Sequence, residues 1–192
     1  MSGKRSIFEE VDNAEKPASK PKKSGGIIDQ GRDEWRKPAR IWMLILFKLV
    51  VLMIVVGGLT RLTDSGLSIT EWNVISGAVP PLGEAAWLVE FDKYKAIPEY
   101  ELQNKGMTLG EFKTIYWWEW GHRQLGRLIG LVWAMGFVYL LMRYTIPRAW
   151  QGRMLLLGIL GGAQGAIGWW MASSGLTGRM VDVASYRLAS HL

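Results

Sequence analysis

Three long apolar runs constrain this chain more than any other feature. Ile41–Thr60 extends for 20 residues with a single charge, Lys48. At about 1.5 Å rise per residue, a helix of that length crosses a hydrocarbon core of about 30 Å. Gln124–Met142 is a second run, with Arg127 near its start, and Met154–Ala172 is a third, free of charge but carrying Gln164. Three such runs in 192 residues predict an all-α membrane protein. Its fold is a transmembrane helical bundle of three spans plus the start of a fourth, which begins near Tyr186.

Charge gives the orientation. Arg32, Arg36, Lys37 and Arg40 precede the first span, and Arg143, Arg148 and Arg153 link the second and third without an acid among them. From Arg61 to Glu119 there are nine acids and five bases. The positive-inside rule places the N-terminus and the short Arg-rich link in the cytoplasm and the long loop, residues 61–118, outside. Residues 1–37 read as a disordered cytoplasmic tail, since Lys16–Gly26 is rich in Pro, Lys and Gly. The tail mixes acids with its lysines and holds few aromatics, which speaks against nucleic-acid binding. Residues 38–192 then form a four-helix bundle whose last helix has only begun at Leu192. The chain holds no cysteine, so thiolate catalysis, disulfides, Cys-based metal sites and covalent heme attachment are excluded.

Within the outer loop, Trp87, Leu88, Phe91 and Tyr94 recur near helical spacing. This predicts a short helix over Glu84–Ala96, lying on the membrane surface and ended by Pro98. Thr108-Leu-Gly-Glu111 fits a capping box. The helix it starts is expected to pass through Tyr116, Trp117, Trp118 and Trp120, aromatics suited to a membrane interface, into the second span.

The chain has two histidines, His122 and His191, expected at the outer ends of the second and fourth helices. Two imidazoles on facing helices can ligate one heme iron from both sides. Glu119 lies one helical turn before His122, on the same face. It either orients the imidazole or accepts a proton and stabilises charge beside a reacting carbon. Gly126 and Gly130 continue that face inward. Gly158, Gly161, Gly162, Gly165 and Gly168 leave the third span similarly bare, for close helix packing or for a flat macrocycle. Arg61, Arg123 and Arg127 are candidates to bind heme propionates, or else interfacial arginines that snorkel.

Four stretches together resemble the heme A synthase family of the alphaproteobacterial and mitochondrial kind. They are Gly57–Trp72 (GGLTRLTDSGLSITEW), Glu119–Gly126 (EWGHRQLG), Gln164–Trp169 (QGAIGW) and Ser185–His191 (SYRLASH). The resemblance implies the N-terminal half of an eight-helix protein built of two similar four-helix bundles. It implies that His122 and His191 are an iron-binding pair for the substrate heme and that Glu119 is the catalytic carboxylate. The implied activity oxidises the C8 methyl of heme O to a formyl group, giving heme A for terminal oxidases, with a heme b in the C-terminal half. Implied partners are heme O synthase, an electron donor and the lipid bilayer of a bacterial inner membrane, with a homo-oligomer also open. The residues themselves leave two other readings open. One is a bis-His membrane cytochrome that only transfers electrons, and the other is a cofactor-free membrane assembly protein.

Overall fold

The computed structural model describes residues 34–177 and 181–192. Most of the expected tail, residues 1–33, lies outside the described residues. Every regular element among the described residues is helical, and three helices are long and apolar enough to cross a membrane. They are α1 (Arg36–Leu62), α4 (Leu109–Arg143) and α5 (Arg148–Ala172). A 3₁₀ turn at Ser76–Ala78, α2 (Glu84–Lys95) and α3 (Pro98–Leu102) lie between α1 and α4, and α6 (Ser185–His191) follows α5. The expected spans are all present and each extends beyond its apolar run. Helical hydrogen bonding does not stop where hydrophobicity does.

The start of α4 follows its sequence signal. The Thr108 hydroxyl accepts from the Glu111 amide, and the Glu111 carboxylate accepts from the Thr108 amide at 2.8 Å. Pro98 does more than end the preceding helix. It occupies the first turn of α3, where its missing N–H costs no helical bond.

Two cores hold the chain together. At the end near α6, Trp87, Phe91 and Tyr94 of α2 pack with Phe112 and Tyr116 of α4 and with Leu67 and Ile69. The aromatic side of α2 that was expected to meet lipid is therefore buried in protein. The helix still presents Leu88 and Val89 outward. At the opposite end Trp35, just before α1, and Ala39 and Trp42 of α1 meet Leu140 of α4, Ile146 of the link that follows it and Met154 of α5.

Tryptophans seat in glycine notches between the spans. The Trp42 indole lies on Gly136 and donates to the Val132 carbonyl at 3.0 Å. The Trp133 ring lies on Gly158 and donates to the Met154 carbonyl at 3.0 Å. A Cβ at either glycine would collide with a ring. Gly158 thus serves helix packing, one of the two uses its sequence allowed.

Candidate functional site

Glu119 lies on the second turn of α4 beyond Phe112 and is 4% exposed. One carboxylate oxygen accepts from the Ser68 hydroxyl and from the Ile69 amide, each at 2.7 Å. The other accepts from Arg123 Nη2 at 2.6 Å and Nε at 3.0 Å. A carboxylate offers about four lone-pair sites, and all four are engaged. No hydrogen bond joins Glu119 to the His122 imidazole among the described residues, so the carboxylate does not orient that ring directly.

Arg123 continues the arrangement. Its Nη2 donates to the Ile69 carbonyl and its Nη1 to the Glu71 carbonyl, both at 2.8 Å. The next residue, Gln124, donates to the Ala78 carbonyl at 2.6 Å, and one turn on from Arg123, Arg127 donates to the Asn73 and Val74 carbonyls at 2.7 and 2.8 Å. One side of α4 thus holds residues 68–78 as a strap, mainly by its backbone. Arg61 pairs instead with Asp182 at 2.6 Å and with Asp64 at 3.4 Å. Propionate binding by Arg61, Arg123 or Arg127 would use donors that already hold protein acceptors, Arg61 Nε and Arg127 Nη1 excepted.

The histidines are set against glycines. A Cβ on Gly57 of α1 would sit 3.1 Å from His122 Nε2, and one on Gly168 of α5 would sit 2.7 Å from His191 Cε1. Both rings need a residue without a side chain behind them. Gln164, one turn before Gly168, donates to the His191 carbonyl. Arg187 of α6 donates to the Trp170 carbonyl at 2.7 Å and lies over its ring at 4.6 Å. His122 thus lies against α1 and His191 against α5. Between their helices Arg123 stands 5.6 Å from the Trp169 ring, which stacks on Trp72 at 6.0 Å and 7°. The clamp on Glu119 therefore also touches the helix that backs His191.

These residues fit a heme. His191 Nδ1 is buried with no hydrogen-bond partner, and among the described residues His122 forms no hydrogen bond. A Cβ on Gly130, Gly161, Gly162 or Gly165 would meet nothing within 4 Å, whereas one on Gly126 would touch Met53 at 3.5 Å. The described residues hold no group of three or more His, Cys, Asp or Glu side chains able to cage an ion. Two imidazoles suit an iron that brings four ring nitrogens of its own. Ser68, Trp72 and Gly57 escaped individual notice in the sequence and Gln164 was noticed without a role, although each lies in a stretch that carried the resemblance. Their roles come from contacts across the fold, which no local pattern records.

The fold defines a multi-pass helical membrane protein whose two histidines, one on α4 and one on α6, each lie against a glycine of a neighbouring helix. Residues 40–192 match the family model of the cytochrome oxidase assembly proteins (COX15-CtaA), and the chain belongs to that family. It is 66% identical over its whole length to the heme A synthase of Dinoroseobacter shibae and 60% identical to that of Roseobacter denitrificans, covering 50% of each. Against the heme A synthase of Cereibacter sphaeroides, 98% of the chain aligns at 62% identity with 48% of that protein. The chain thus spans about half the length of the curated relatives it matches. No solved structure matches it.

Proposed function

We propose that this chain is the substrate-heme half of a heme A synthase, an oxidoreductase that converts the C8 methyl of heme O to a formyl group. The observation that carries this reading is the histidine pair. Two imidazoles, from α4 and α6, each lie against a glycine, His122 on Gly57 and His191 on Gly168, beside an open glycine face. His122 and His191 would hold the iron of the heme. Gly161, Gly162 and Gly165 would leave room for its ring. The heme supplies the methyl group to be oxidised and an iron for redox chemistry.

The protein's own groups then position and exclude. The clamp built on Glu119 keeps residues 68–78 fixed across α4, and Trp72 and Trp169 wall the same end. Glu119 is also one turn from His122, where a carboxylate can take a proton or stabilise positive charge developing at the methyl carbon. To do so it must release one of its four donors. The surroundings match a bacterial inner membrane with the N-terminus cytoplasmic, since Arg143, Arg148 and Arg153 lie at the end opposite the histidines. A heme b in the remaining half of the protein, heme O synthase and an electron donor complete the proposal.

The test is chromatography of hemes extracted from the full-length protein, expressed with a supply of heme O. Heme A in the parent, lost in His122→Ala and Glu119→Ala, is the expected result. Heme b alone in all three samples would replace this reading with that of an electron-transfer cytochrome.

A further inference from the structure

Flanking the face of α4 that carries His122 lies a second feature. A cleft of about 860 Å³ opens between α1 and α4, lined by Leu52, Val56, Trp117, Trp120, Leu128 and Leu131, with Arg127 at its edge. From Trp117 to Leu131 it follows α4 for about 21 Å. Two donors among its lining residues are buried and unused, Trp120 Nε1 and Arg127 Nη1. Arg127 spends its other nitrogens on neutral backbone carbonyls and enters no ion pair among the described residues. A guanidinium on a membrane span without an acid beside it calls for an anion. A heme held on His122 is poorly placed to supply it, because Arg127 lies about 140° around the helix from His122.

We propose that this cleft binds an anionic phospholipid, its phosphodiester on Arg127 Nη1 and Trp120 Nε1 and an acyl chain along Leu52, Val56, Leu128 and Leu131. The positive charge selects an anionic headgroup, and the apolar, elongated walls select a chain. Trp117 and Trp118, both substantially exposed, sit where interfacial aromatics meet headgroups. The site depends on the membrane placement of α1 and α4 and not on the heme chemistry proposed above.

Full-length protein in a non-ionic detergent, titrated with phosphatidylglycerol and separately with phosphatidylcholine, tests this by native mass spectrometry. One phosphatidylglycerol should stay bound, at least about tenfold tighter than phosphatidylcholine, whose trimethylammonium group brings a second positive charge beside Arg127. Arg127→Gln should erase the preference. Gly121 also lines the cleft, and a Cβ there meets nothing within 4 Å, so Gly121→Leu should fill the space and lower occupancy by both lipids. If Arg127→Gln fails to fold, the parent's lipid ratio and Gly121→Leu still decide. Equal binding of both lipids by the parent, unchanged binding in Gly121→Leu, or no retained lipid would overturn the proposal. So would displacement of phosphatidylglycerol by added heme in the parent but not in His122→Ala, since the anion would then be a propionate.

Discussion

Arg61 and Asp182 meet at 2.6 Å and join the last turn of α1 to the segment that enters α6. The helix whose Gly57 abuts His122 is thereby tied to the stretch that ends in His191. Both side chains are about half exposed, 48% and 46%, so the pair contributes at most about 1 kcal/mol to stability. Its value lies in register. Asp182→Asn should leave the melting temperature nearly unchanged yet lower the heme-to-protein ratio that survives gel filtration. Exchanging the charges with Arg61→Asp and Asp182→Arg should recover part of the loss. Full retention of heme in Asp182→Asn would show that the pair does not set the distance between the histidine helices.

Glu119 carries two possible duties, and two variants separate them. Ser68→Ala removes one of the four donors and should cost roughly 1.5–3 kcal/mol, the range for a hydrogen bond to a charged group. Glu119→Gln leaves the Arg123 guanidinium largely buried without its counter-charge, a loss of roughly 3 kcal/mol or more. Limited proteolysis reports on the 68–78 strap, and extracted heme on the chemistry. Should Glu119→Gln abolish heme A while the strap stays protected, the carboxylate acts in the reaction. If strap protection and heme A fall together, with Ser68→Ala intermediate, Glu119 is a positioning residue.

The sequence made the spans legible because hydrophobic length is a property of contiguous residues. Ile41–Thr60 lies inside α1 and Gln124–Met142 inside α4. The capping box at Thr108 was equally local and is present atom for atom. The strap was not legible, because Glu71, Asn73, Val74 and Ala78 take part through backbone carbonyls, which every residue has. Arg123 and Arg127 therefore read as free cations when much of their donor capacity is used within the chain. The protein partner of α2 was illegible for a related reason. An apolar helical stripe says that something covers it, and Phe112 and Tyr116 do so as well as lipid would.

Stability of the outer segment should depend on pH through Glu99. This carboxyl is 4% exposed and burial pushes it up to about 7, against a weaker lowering by the Tyr94 hydroxyl, which donates to it at 3.1 Å. Asn104 closes the cluster by donating to the Tyr94 oxygen at 2.7 Å. Between pH 4.5 and 7 the folded form binds more protons at Glu99 than the unfolded form, whose carboxyl titrates near 4.5. The stabilisation is thus complete below pH 4.5 and is lost as pH rises through 7. Unfolding followed by tryptophan fluorescence between pH 5 and 8 should show this decline, and Glu99→Gln should flatten it. An unchanged slope in Glu99→Gln would assign the dependence to another group.

The glycines of α5 offer the sharpest separation of folding from heme binding. Gly168→Ala places a Cβ 2.7 Å from His191 Cε1, a distance that forces the ring to move. A Cβ at Gly165 meets nothing within 4 Å, and Gly165→Leu replaces a poor helix former by a good one, a gain of up to about 1 kcal/mol in a helix interior. In a protein that needs α5 bare only for helix packing, Gly165→Leu is silent or stabilising. If the face accommodates a macrocycle, the variant should express and melt like the parent yet lose the absorption of the heme held on His122 and His191. Gly158→Ala is the opposite control, because Gly158 seats the Trp133 ring and its loss should lower the melting temperature first. Parent-like heme spectra in Gly165→Leu would remove the glycine face from the site and leave the histidine pair to stand alone.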